Sequence, residues 1–206
     1  SVNYMNQEGI VKNNGVSRFS ARLNLDQELS EYVSFGLTAT YSQNKYDNVP
    51  LGDNANEYSG VLTGAIQSNP TIPIYDSEGN YFIDPKRPFV ANPVSLLDIK
   101  DNTVKDRIIG SAFVSVKPLK DLEVKLQLGV DRSFQKRSSY LPKTTLQGKT
   151  KNGRADISQE TSTAYLMELT AQYSKNFGDH NVKAIGGYSF QKFKNDGLSA
   201  GNEDFL

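Results

Sequence analysis

The chain has no cysteine and no tryptophan among its 206 residues, and a single histidine, His180. Without cysteine, a disulfide scaffold and any thiolate metal site are excluded. With one histidine, a multi-histidine metal centre has no second member, and His180 sits in a tight turn with no partner for a triad. No apolar run approaches the roughly 20 residues of a membrane-spanning helix. Net charge is also lacking, since 23 Lys and Arg balance 23 Asp and Glu. A neutral total argues against nucleic-acid binding, which needs a basic face to neutralise phosphates. No glycine loop with a following Lys cradles phosphate, so no cofactor is expected. Carboxylates are plentiful, but nothing in their spacing brackets a cleft, and the chain is not expected to be an enzyme.

What is present is period-two alternation, the mark of strands with one apolar face. In 17–29 the apolar set is Phe19, Ala21, Leu23, Leu25 and Leu29, opposite Arg18, Arg22, Asn24, Asp26 and Glu28. In 32–44 it is Val33, Phe35, Leu37, Ala39 and Tyr41. Further runs follow at 106–117, 122–134, 163–175 and 181–194, the second carrying Leu122, Val124, Leu126, Leu128 and Val130 against Glu123, Lys125, Gln127 and Asp131. Ile109 and Phe113 blur the polar side of 106–117. Ser1 to Tyr4 reads as the tail of a strand begun earlier, so a piece of a longer chain is expected.

The connections divide into two kinds. Tight turns fall around Ser30-Glu31, at Pro118-Leu119-Lys120-Asp121 and at Asn176 to His180. Each joins two alternating runs and reads as a hairpin. The links between hairpins are long, at 45–105 and 136–162. Short turns on one edge and long loops on the other are the arrangement of outer-membrane barrels. Within the first loop, 56–67 is expected to hold a short helix, and Asp76 to Asn80 to turn between Ile72–Tyr75 and Tyr81–Ile83. Asp76, Glu78 and Asn80 have a faint calcium-loop look, but the closing Glu is absent and a turn is the stronger reading.

A soluble sandwich and a membrane barrel both bury one strand face. Strand length favours the barrel, because runs of about 12 residues exceed the soluble mode of roughly 5–6 and reach the roughly 9–11 that cross a bilayer. The apolar faces carry no charge through their centres, and aromatics cluster near strand ends, as in interfacial girdles. The expected fold is therefore all-β, an antiparallel meander of long strands forming part of a transmembrane β-barrel over residues 1–206. The alternative is a soluble β-rich carbohydrate-binding module, with Leu23, Leu37 and Leu126 in one shared core.

Ordered motifs then point to a family. They are Tyr4 to Val11 (Tyr-Met-Asn-Gln-Glu-Gly-Ile-Val), Ala21-Arg22-Leu23-Asn24-Leu25-Asp26, and Asn69 to Asp76 followed by Gly79-Asn80-Tyr81. Asn92-Pro93-Val94, Phe177-Gly178-Asp179-His180 and Gly187 to Gln191 come after them. Together they resemble the SusC/RagA-type TonB-dependent transporters. The resemblance implies a barrel of about 22 strands, bacterial outer-membrane localisation with lipid around it, and a plug with a TonB-contacting segment outside these residues. It also implies a SusD-like surface lipoprotein as partner and a glycan or oligopeptide as cargo. On that reading Arg18, Arg22, Asp26, Lys125 and Asp131 face the lumen. Tyr58, Tyr75, Tyr81 and Phe82 are candidates to contact cargo, because flat rings suit partly apolar ligands.

Overall fold

The computed structural model describes residues 1–50 and 60–205. They form one seven-stranded antiparallel sheet in which every strand pairs with its sequence neighbour. The strands are β1 (Val2–Glu8), β2 (Gly15–Ser30), β3 (Val33–Asn48), β4 (Lys100–Leu119), β5 (Leu122–Leu141), β6 (Arg154–Phe177) and β7 (His180–Glu203). β1, read from the sequence only as a strand's tail, is a paired strand, with Tyr4 opposite Phe19.

The strands outrun the alternation that announces them. β3 continues past residue 44 to Asn48, pairing there with Asp101 of β4. β6 and β7 reach 24 residues each. The cause is chemical. At the long-loop ends both faces turn polar, as in Ser42 to Asn48, so the apolar signal fades. The backbone ladder needs no apolar side chain and goes on pairing. The loops are correspondingly shorter than expected, 49–99 and 142–153 rather than 45–105 and 136–162.

The tight turns hold where the sequence placed them. Glu31-Tyr32 joins β2 to β3, with the Tyr32 amide donating to Ser30 Oγ at 3.2 Å. Pro118, which has no N–H to give the ladder, lies at a register shift between Val116 and Leu119. Gly178 takes φ +62° in the β6–β7 turn, a backbone shape glycine adopts without steric cost. In the first long loop a short helix, α1 (Val61–Gln67), forms within the expected 56–67, whose first residues lie outside the described ones. A second helix, α2 (Leu146–Thr150), was not anticipated. Thr145 caps it by accepting the Gly148 amide at 3.0 Å.

Cross-strand register aligns the apolar sets. Leu25 faces Leu37, Leu37 faces Ala112, Ala112 faces Leu128, and Leu128 faces Met167. These side chains do not close on one another. Leu23 is 55% exposed, Leu37 36% and Leu126 39%, so the shared core of a sandwich is missing. The buried hydrophobics among the described residues are Val49, Val61, Ala91 and Leu96, all in or beside the first long loop. The strands thus present a continuous apolar band with nothing among the described residues packed over it.

On the opposite face one glycine is required by packing. The Phe113 ring lies over Gly36, where an added Cβ would stand 2.1 Å from Phe113 Cε1 and 2.5 Å from Asp26 Oδ1. Lys125 Nζ sits 4.2 Å from the same ring's centroid. The two residues that blurred the polar face in the sequence therefore differ in role, and Phe113 is a ring laid flat on a bare stretch of backbone. Gly36→Ala in the intact protein is expected to cost about 1–3 kcal/mol by forcing the ring off its seat. Urea unfolding of the refolded protein in detergent measures it, and the cost should largely vanish in the double variant Gly36→Ala/Phe113→Ala.

Candidate functional site

Two surfaces can meet a ligand, the cluster of long connections at one edge of the sheet and the polar face below it. In the first, Val49, Val61, Ala91 and Leu96 pack with Val11 from the β1–β2 link and Leu146 from the β5–β6 link. All three connections at this edge therefore share one small core. Hydrogen bonds fasten them further. Asn13 Nδ2 donates to the Leu97 carbonyl at 3.0 Å. Asp98 Oδ2 accepts from Thr144 Oγ1 at 3.1 Å and from the Tyr81 hydroxyl at 3.0 Å.

The expected turn at Asp76 is present. The Asp76 carboxylate accepts the amides of Glu78 and Asn80, each at 2.9 Å, and Gly79 takes φ +85°. Those donors, led by the Asn80 amide, hold the carboxyl below its ordinary pKa. Among the described residues no group of three or more His, Asp or Glu could hold a metal ion. Asn92 pins the small hairpin from behind. Its Nδ2 donates to the carbonyls of Ile74 (2.9 Å) and Phe82 (3.2 Å), and its Oδ1 accepts the Val94 amide at 3.0 Å.

Of the four aromatic candidates, Tyr58 lies outside the described residues. Tyr75 and Tyr81 come together, bridged across the hairpin and stacked with centroids 5.3 Å apart. Tyr75 is half exposed, while Tyr81 spends its hydroxyl on Asp98. Phe82 turns into a groove of about 260 Å³ lined by Ile72, Ile74, Val90 and Pro93. Tyr81 and Phe82 thus help to build the loop. Asn92 and Asp98, which organise it, carry no sequence signal as ligand-facing groups, although Asn92 belongs to the Asn92-Pro93-Val94 motif.

On the sheet, Arg18, Arg22, Asp26, Lys125 and Asp131 share one face. Register runs from Arg22 through Thr40 and Ile109 to Asp131, and from Asp26 through Gly36 and Phe113 to Gln127. Asp131 is taken by Arg107, with Nε–Oδ1 at 3.0 Å and Nη2–Oδ2 at 2.6 Å. Arg22 Nε reaches Thr40 Oγ1 at 3.3 Å. His180 opens β7 opposite Phe177.

No family model matches the chain. A TonB-dependent receptor of Formosa agariphila is 28% identical to it over 209 residues, which is 100% of this chain and 21% of that protein. The TonB-dependent receptor SusC of Bacteroides thetaiotaomicron is 22% identical over 227 residues, 98% of this chain and 22% of SusC. Among solved structures, the RagAB peptide transporter superposes with a TM-score of 0.76 at 20% identity, over 99% of this chain and 23% of that one. The chain matches a segment of the barrel of SusC/RagA-type TonB-dependent receptors. It spans about a fifth of the length of the curated relatives it matches. The curated relatives are receptors of the outer membrane rather than enzymes, and the meander matches barrel wall.

The Tyr81–Asp98 contact gives a titration test. Burial first, then the hydrogen bond to Asp98, push the Tyr81 phenol up to about 12. A raised folded-state value means that the neutral phenol favours the folded loop. Its contribution is complete below the ordinary value of about 10 and is lost as pH rises towards 12. In Asp98→Ala the Tyr81 titration, followed by phenolate absorbance against a Tyr81→Phe control, should move back towards 10. An unchanged midpoint would show that Asp98 does not hold the phenol.

Proposed function

We propose that the chain forms part of the wall and outer mouth of a transporter that imports glycans or oligopeptides. A SusD-like lipoprotein closes the mouth, and TonB drives the cycle through a segment outside these residues. The observation that carries this reading is the unclosed apolar band on strands of up to 24 residues, backed by a polar face rich in charge. Such a sheet needs hydrocarbon on one side and water on the other. The SusC and RagAB likenesses support the transport role, and the joined outer connections supply a preformed rim on which a lid can rest. The polar face then lines the lumen, and Tyr75 is the aromatic best placed to meet cargo. A soluble carbohydrate-binding module is disfavoured by the exposure of Leu23, Leu37 and Leu126.

The test is made in the native bacterium with the full-length gene. Deleting it should abolish growth on the cognate oligopeptide or polysaccharide as sole nutrient. Replacing residues 49–99 with a short Gly-Ser link should cut uptake at least about tenfold, since the rim is lost. The variant should still insert in the outer membrane and keep its heat-modifiable migration on gels. A full-length protein recovered in the soluble fraction, or unimpaired uptake without the loop, would contradict the proposal.

A further inference from the structure

Charge on the face of the apolar band is distributed unevenly from one end of the strands to the other. Towards the long loops this face carries Lys45 of β3, Arg132 and Lys136 of β5, and Lys192 and Lys194 of β7. Register gathers them into a collar. Tyr41, Ile108, Arg132, Thr163 and Lys194 are successive partners across the strands, and Val130, Tyr165 and Lys192 form the row below. Higher up, Lys45 is opposite Val104, and Val104 opposite Lys136. At the tight-turn end the same face has one strand cation among the described residues, Lys175, opposite Val182, and Asp121 holds it at 3.6 Å.

The collar finds little counter-charge beside it. Lys194 is taken by Asp196 at 2.9 Å. Lys45, Arg132, Lys136 and Lys192, all exposed, make no ion pair among the described residues. Lys45, Arg132 and Lys136 stand on interior strands, so the strands on both sides of them are those of this sheet and no further strand comes between. Carboxylates at their level are engaged elsewhere. Asp106 accepts the Tyr41 hydroxyl at 2.7 Å and Gln43 Nε2 at 2.9 Å, and Asp47 accepts Asn102 Nδ2 at 2.6 Å. Tyr41, Phe134 and Tyr165 share this level, and such aromatics stand at headgroup depth in a membrane barrel. Lys45 and Lys136 are two strands, or roughly 10 Å, apart at the backbone, as are Arg132 and Lys194. That spacing keeps like charges apart at their roots and lets two long side chains close on one anion between them.

We infer that this collar binds the phosphate groups of lipid A, the phosphorylated glycolipid of the leaflet on the long-loop side. Three observations carry it: the cations are free of carboxylates, they continue directly from the apolar band, and they stand at one end of the strands only. The acyl chains lie along Leu128 and Val130, and the phosphates meet the cations where the band ends. Arg132 can give a phosphate two parallel N–H bonds, and the lysines act as mobile point charges around it. A membrane with phosphate in one leaflet accounts for the one-sidedness, which a collar serving only to mark the water boundary would not need. The inference rests on the reading, proposed above, that the apolar band faces hydrocarbon.

The test uses the full-length receptor in detergent micelles, with lipid A added in the same detergent and bound lipid counted by native mass spectrometry. Lipid A should bind at least about tenfold more tightly than its dephosphorylated form, which keeps the same acyl chains. The combined variant Lys45→Gln, Arg132→Gln, Lys136→Gln and Lys192→Gln should weaken lipid A about tenfold and leave the dephosphorylated lipid unchanged. Lys105→Gln with Lys183→Gln, on the opposite face, should change neither. Equal binding of the two lipids, undiminished binding to the collar variant, or the same loss in the opposite-face variant would overturn the inference. A nitroxide at Leu128 of the receptor in liposomes separates the two levels. If it meets oxygen, a failed lipid comparison overturns the collar alone; if it meets only an aqueous nickel chelate, the hydrocarbon-facing reading falls and the collar with it. Heat-modifiable migration is followed for every protein. Should the fourfold variant fail to insert, Arg132→Gln with Lys136→Gln replaces it, with a loss of at least about threefold expected.

Discussion

Strand-to-strand backbone hydrogen bonding is the constraint on which the rest of this structure depends. Inside hydrocarbon an unpaired N–H or C=O costs several kcal/mol, so a sheet can meet lipid only if each strand satisfies its neighbour. From β1 to β7 the pairing is unbroken and wholly between sequence neighbours. With the backbone settled in this way, each side chain is free to match its solvent. The band from Leu25 through Leu37, Ala112, Leu128 and Met167 is apolar, as the proposed lipid-facing side requires. Asp106, Arg132 and Lys192 lie on the same face towards the long-loop end, and in that proposal they mark the level at which water returns.

Above that level the molecule is organised differently. The ladder still pairs, but stability at the rim comes from a small conventional core and from polar side chains that tie loops to one another. Leu96 and Thr145 are among its most buried residues, and Asp98 joins the hairpin of the first loop to the β5–β6 link. A rim fixed in this way is a rigid support for binding surfaces, the usual division of labour between a sheet and its loops. Below the rim, charges on the polar face are partly paired, as in Arg107 and Asp131, while Arg18, Lys105 and Glu160 make no ion pair among the described residues.

Legibility in the sequence followed the same boundary. Where a strand has one apolar and one polar face, strict alternation marks the strand, its facing and its turn. Arg18, Arg22, Asp26, Lys125 and Asp131 could all be assigned to one face before any coordinates. Where both faces meet water, as in Ser42 to Asn48, the pattern carries no facing information and the strand ends were missed. Helix α2 is only five residues long and was hidden for a related reason: its stability lies in the Thr145 cap and in tertiary packing, not in periodicity. The roles of Asn92 and Asp98 depend on contacts across 10 to 46 positions of sequence, which no local pattern encodes.

The most direct measurement of the central claim is a nitroxide scan along β5 of the full-length protein in liposomes, one spin label at a time from Leu122 to Asp131. Collision with oxygen, which concentrates in lipid, is compared with collision with a water-soluble nickel chelate. The account predicts oxygen contact at Leu122, Val124, Leu126, Leu128 and Val130, and nickel contact or shielding at the residues between them. Uniform nickel contact along the strand, or oxygen contact on the side of Lys125 and Gln127, would contradict it.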